Sequence, residues 1–159
     1  MKYHMRRKDK EINDPSEMKQ IIMQVEYVTL AMAEDNMPYL VALSHGYNPE
    51  KNEVYFHSAS TGKKIDIIRG NPRVWGQAMI DMGYEKGECN HHYASVMFSG
   101  FVSFVEDEKE KRDILAGMAR KFNEDSEKMI GAQNTSVMNT VVGKIAVDYM
   151  TGKKSKDFL

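Results

Sequence analysis

The chain has 159 residues, with 22 Lys plus Arg against 23 Asp plus Glu and a net charge of -1. That is the size of one domain with a single core, and the balanced charge excludes a broad basic field for nucleic acid or an anionic membrane. The single Cys, Cys89, excludes an intramolecular disulfide, and neither the start "MKYHMRRKDK" nor any later run is apolar enough for a secretory signal or a membrane span.

One soluble, cytoplasmic domain over 1–159 is therefore expected. Thirteen Met suit an irregular core or a flat apolar interface, and core packing is the plainer reading.

"NDPSEMKQIIMQ" offers Asp14 as N-cap, Pro15 at the first helical position and Glu17 three residues after the cap, so a short helix opens the fold. "VEYVTLAMA" (25–33) and "MPYLVALSHGYN" (37–48) are rich in β-branched and aromatic residues, and "EDN" between them predicts a hairpin. After the turn "NPEKN", "EVYFHSA" predicts a third strand with Val54, Phe56 and Ser58 on one face and Tyr55, His57 and Ala59 on the other.

In "TGKKIDIIRGNP", Thr61 can cap, Ile65 and Ile68 lie three apart, Gly70 suits a left-handed C-terminal position and Asn71-Pro72 ends a helix of about two turns. "RVWGQAMIDM" and "SVMFSGFVSFVE" predict two more strands, with "GYEKGECNHHYA" as a polar connection. "DEKEKRDILAGMARKF" predicts a helix after Asp107, with Ile114, Leu115, Met118 and Phe122 as its apolar stripe. "SEKMIGAQNTSVMNTV" is ambiguous and open to a short helix, and "GKIAVDYMTGKK" predicts a last strand. Six strands with flanking helices favour a small antiparallel barrel over a doubly wound parallel sheet.

The stretch "HSASTGKK" invites an anion. Lys63 and Lys64 fall in the first turn of the predicted helix, where a cation opposes the dipole by a few tenths to about 1 kcal/mol, and a bound phosphate would reverse that balance. Ser58, Ser60 and Thr61 add hydroxyl donors, and Gly62 allows close approach to the backbone. From chemistry alone, a Thr61 cap with two solvated lysines accounts for the stretch equally well, and the motif is no P-loop.

"ECNHHY" brings Cys89, His91 and His92 together, but it lacks a second ligand pair, so a solvated loop is expected rather than a metal site. No base or orienting group near Cys89 supports nucleophilic catalysis. His45 and His57 read either as satisfied core imidazoles or as hydrogen bonders to a ligand, with His57 favoured by its place beside the cradle.

"MRRKDKEI", "PYLVALSHGYN", "VYFHSASTGKKIDIIRGNPRV", "YASVMFSGFVSFVED" and "VDYMTGKKS", in this order, cover nearly the whole chain. Together they resemble the pyridoxamine 5'-phosphate oxidase-related flavin-binding proteins, in the nitroimidazole-resistance-protein-like branch. The resemblance implies a six-stranded split β-barrel, a homodimer, and FMN (FAD being the alternative) in clefts at the dimer interface built from both subunits. It implies that the FMN phosphate lies against His57, Ser58, Lys63 and Lys64, and the isoalloxazine ring along Ala42, Leu43, Ser44 and His45, with ring-edge contacts from Tyr93 and Ser95.

The implied activity is electron transfer from NAD(P)H through FMN to a small electrophile such as a nitroaromatic, the alternative being a flavin- or haem-binding module without turnover. Pyridoxine-phosphate oxidases proper carry a C-terminal segment with substrate-binding Arg and Trp, whereas this chain ends "TGKKSKDFL", so vitamin B6 oxidation is not expected.

Overall fold

Among the described residues, the chain runs β1 (Glu11–Ile12), α1 (Pro15–Gln24), β2 (Tyr27–Glu34), β3 (Met37–Asn48), β4 (Glu53–Ala59), α2 (Lys63–Gly70), β5 (Arg73–Glu85), β6 (Asn90–Phe104), α3 (Glu108–Lys121) and β7 (Thr140–Lys154). The structure is a computed structural model that describes residues 5–122 and 139–155. Most of "SEKMIGAQNTSVMNTV" lies outside the described residues.

All pairings are antiparallel, in the order β1-β7-β4-β3-β2-β5-β6, and a further ladder between β6 and β7 closes β2 to β7 into a six-stranded ring. The expected six-stranded barrel is thus present. β1 is a seventh strand beside β7, pairing Ile12 with Gly152, and at two residues it is too short to show a period.

Local chemistry explains the elements. Asp35 and Asn36 take positive φ, 47° and 63°, as a two-residue primed hairpin turn requires, so β2 and β3 pair directly from Glu34↔Met37 to Tyr27↔Ser44. Asp14 caps α1 by accepting from the Ser16 N–H at 2.8 Å, and Asp107 caps α3 by accepting from the Glu110 N–H at 2.7 Å. The expected return contact from Glu17 to the cap is replaced by an ion pair with Lys154 at 2.8 Å, which ties α1 to β7.

Inside the ring, Val28, Leu30, Val54, Phe56, Val74, Ala78, Val96, Phe98 and Ile145 form one buried cluster with Ile21 and Ile22 of α1 and Ile67 and Ile68 of α2. Two cross-strand pairs shape it, Phe98 facing Gly76 and Phe56 facing Gly143. A Cβ on either glycine would come within 2.2 Å of the opposite ring, so each phenylalanine lies flat where its partner has no side chain.

Three expectations need correction. The polar "GYEKGECNHHYA" is mostly strand: β5 and β6 extend as an arm past a bulge between Asp81 and Tyr84, and left-handed backbone at Gly83, Gly87 and Cys89 bends and closes it. In α3 only Met118 of the predicted stripe is fully buried, while Phe122 is exposed and Lys111 is buried. Gly70 is the last residue of α2 without positive φ, and Asn71 ends the helix in extended conformation.

Candidate functional site

The ladder between β3 and β4 runs only from Asn48↔Glu53 to His45↔Phe56. Beyond that point β4 follows β7 as far as Ala59↔Thr140, and β3 follows β2 as far as Met37↔Glu34. The barrel therefore splits at His45 and Phe56, and among the described residues no strand pairs with the β4-facing edge of β3 from Met37 to Ser44.

The start of α2 lies at this split. Lys63 places its Nζ 4.8 Å from the Tyr39 ring centre on β3. The cap is Gly62 and not Thr61, and no side chain caps the helix; Gly62 has φ 122°, and its carbonyl receives the N–H groups of Ile65 at 2.8 Å and Asp66 at 3.1 Å. With φ in a region that favours glycine and no atom within 4 Å of where a Cβ would stand, the turn keeps its backbone open on the outer side.

Burial and, second, the charge of Lys64 hold the His57 pKa below its ordinary value, and burial lowers the Lys64 pKa as well. These two side chains therefore share one environment at the positive end of α2. Neither Lys63 nor Lys64 forms an ion pair among the described residues. Asp66 lies in the same turn but pairs with neither lysine, and ammonium groups gathered at a helix N-terminus without an ion-pair partner make a place where an anion is favoured. Strand alternation puts His57 and Ser58 on opposite faces.

The four predicted residues of β3 divide in the same way. Ala42 and Ser44 are exposed on the outer face, whereas Leu43 packs against the core and His45 is fully buried. His45 lies 2.8 Å through Nε2 from the Ile22 carbonyl, and since a carbonyl only accepts, Nε2 carries the proton. Lys121 donates to the Val25 carbonyl at 2.7 Å and the His45 carbonyl at 3.2 Å, with its Nζ beside the imidazole, 3.2 Å from Nε2 and 3.5 Å from Nδ1. Burial, helped by the Lys121 charge, lowers His45 to about 4, and burial lowers Lys121 to about 8.

His45 thus resolves as a core imidazole that, with Lys121, satisfies the C-terminal end of α1. Only the backbones of Leu43 and His45, not their side chains, can border a ligand on the outer face. Sequence reasoning missed Lys121, because nothing in a helix-ending basic residue shows which carbonyls it will meet.

Tyr93 and Ser95 lie elsewhere. Ser95 pairs with Lys153 and His57 with Val142, so the two groups are 11 residues apart along β7, roughly 36 Å of extended strand. Within one chain they do not form a single site. They border a groove of about 510 Å³ with Met5, Gln77, Met79 and Met97.

The arm beyond it carries the Cys89, His91 and His92 cluster. His91 meets Asp81 at 2.7 Å and His92 meets Glu85 at 2.7 Å, from opposite faces of β6, so the two imidazoles do not converge.

Between the two groups, the outer face of β3, β2, β5 and β6 is apolar and open. Leu40 is 61% exposed, Tyr27 60% and Phe101 53%, and Trp75, Met79 and Met97 complete the surface. Contiguous apolar area of this kind marks an interaction surface. No described helix is long and apolar enough to cross a membrane.

Residues 14–154 match the model of the family described as pyridoxamine 5'-phosphate oxidase. A Bacteroides thetaiotaomicron protein proposed to be a 5-nitroimidazole antibiotic resistance protein is 29% identical, with 90% of this chain and 85% of that one covered and a TM-score of 0.76. An FAD-binding protein from Mesorhizobium loti is 25% identical, covering 89% of this chain and 95% of that one, with a TM-score of 0.66. A conserved hypothetical protein from Mycobacterium tuberculosis shares the fold at 16% identity, covering 95% and 90% of the two chains, with a TM-score of 0.76. No curated protein matches the sequence significantly.

Proposed function

The chain belongs to the pyridoxamine 5'-phosphate oxidase family, and from that premise we propose that it is a flavoprotein oxidoreductase. In this reading it binds FMN, accepts electrons from NAD(P)H and passes them to a small electrophile such as a nitroaromatic. The observation that carries the reading is the uncompensated cluster of His57, Lys63 and Lys64 at the open start of α2, beside the split in the barrel. The residues present fit a phosphate-bearing ligand, because an anion there offsets both ammonium groups and can accept from the Lys63 and Lys64 N–H groups, those of Ile65 and Asp66 being bound to the Gly62 carbonyl. The relatives support the ligand class: one is FAD-binding and another is proposed to act in 5-nitroimidazole resistance.

In the proposed site the Lys64 ammonium, the start of α2 and the His57 imidazole hold the phosphate. Ala42 and Ser44, with the backbones of Leu43 and His45, border the ring, and Tyr93 and Ser95 meet its edge. Those last two lie on β6 beside the far end of β7, so they are supplied by a second copy docked through the apolar outer face. Each homodimer then carries two composite sites.

A bound flavin supplies the two-electron chemistry, while the chain's hydrogen-bond donors orient it and tune its ring nitrogens and carbonyl oxygens. No acid-base pair in the chain is required.

The test is the visible spectrum of the purified protein during FMN and FAD titration, followed by anaerobic NADH or NADPH. Flavin uptake and bleaching by a nicotinamide are expected. No uptake of either flavin overturns the reading, and uptake without reduction replaces the oxidoreductase with a binding module.

A further inference from the structure

The groove beside Tyr93 has a charge pattern that flavin binding at the cradle does not use. Lys10 and Lys153 both approach the Tyr93 ring, with their Nζ atoms 5.9 and 5.8 Å from its centre. Neither is in an ion pair among the described residues. Glu11 stands opposite Lys153 in the ladder without pairing with it. Asp81, opposite Tyr93 in the ladder, is engaged by the Gly83 N–H at 2.8 Å and by His91 at 2.7 Å. Two half-buried ammonium groups at one aromatic ring, Lys153 lining the groove and Lys10 approaching the same ring, are therefore without an ion-pair partner among the described residues.

The rest of the groove suits a flat ligand. Met5, Met79 and Met97 give polarizable apolar walls, Gln77, Ser95 and Thr151 give polar groups, and about 510 Å³ is the volume of a small-molecule site. None of the described α-helices begins at a residue lining this groove, unlike at the cradle, so separate ammonium groups suit a carboxylate better than a phosphate that needs backbone amides.

We propose that this groove docks the electron acceptor, and that the acceptor is a small planar compound bearing a carboxylate held by Lys10 and Lys153 over Tyr93. The inference rests on the flavoprotein reading, because the same groove carries the proposed ring-edge residues Tyr93 and Ser95. Lysine side chains select the charge, and the methionine walls select a planar body.

Equilibrium dialysis with FMN in excess tests it, comparing 4-nitrobenzoate with its uncharged isostere 4-nitrobenzamide for the wild type, Lys10→Gln and Lys153→Gln. The wild type is expected to hold the carboxylate about fivefold more tightly, the upper range for part-exposed charge pairs. Both substitutions should shrink that preference and leave the amide unchanged. Equal wild-type affinities, or a preference that survives both substitutions, overturn the proposal. Flavin uptake is read from the visible spectrum of the same samples: its absence refutes the flavoprotein reading, whereas a flavin-loaded wild type with no carboxylate preference refutes the acceptor site alone.

Discussion

Lys64 and His45 show how differently two site candidates can resolve. Lys64 stays where its chemistry points, in the first turn of α2 beside His57, so Lys64→Ala should weaken FMN by roughly 1.5 to 3 kcal/mol, the contribution of a charge-assisted hydrogen bond. Riboflavin, which lacks the phosphate, should bind this variant and the wild type alike, and isothermal titration with both ligands checks it. Equal losses would remove the phosphate role.

His45 instead binds the end of α1, and its lowered pKa makes stability depend on pH. The unfolded chain takes up a proton near the ordinary value of 6.5 while the folded one resists until about 4, so stability is complete above 6.5 and is lost as pH falls through that window. At pH 5 the loss is on the order of 2 kcal/mol. Urea unfolding at pH 7.5 and pH 5 should show it, and His45→Gln should reduce it, leaving the smaller contribution of His57, whose lowered pKa acts in the same direction. A single alternating strand pattern could not separate an inward from an outward histidine here, because residues 44 and 45 are both polar and only the register with β2 and β4 decides which enters the core.

Helices and strands were legible where side chains alternate or caps are explicit. Asp14 and Asp107 announce α1 and α3, and the Asp35-Asn36 turn announces the first hairpin. The arm of β5 and β6 was hidden because its residues are polar on both faces, and a period cannot be read where neither face is buried. Thr61 pointed to a cap one residue too early, since a glycine that leaves the turn open carries no side-chain signal.

The glycine and phenylalanine pairs were also invisible, because they exist only across strands. Gly143→Ala and Gly76→Ala should each cost about 1 to 3 kcal/mol by forcing Phe56 or Phe98 off its place, measured by chemical denaturation. Gly87→Ala, at an exposed turn with no atom within 4 Å of its Cβ position, carries only backbone strain from its φ of 95° and should cost less than either.

For the whole molecule, the six-stranded barrel was legible from the strand count, but the pairing order and the separation of the two groups of predicted site residues were not, since both depend on which strands pair at long range. The separation is what makes the apolar outer face consequential. A charge placed on it, as in Trp75→Glu, should dissociate the proposed dimer and lower flavin affinity together, although Trp75 belongs to neither half of the proposed site. Size-exclusion chromatography with flavin titration would report both effects. The most direct measurement is sedimentation velocity of the FMN-loaded protein followed at the visible flavin band. Flavin absorbance should travel with a species of twice the 18.2 kDa chain mass, and flavin carried by a species of one chain mass would contradict a site shared between two chains.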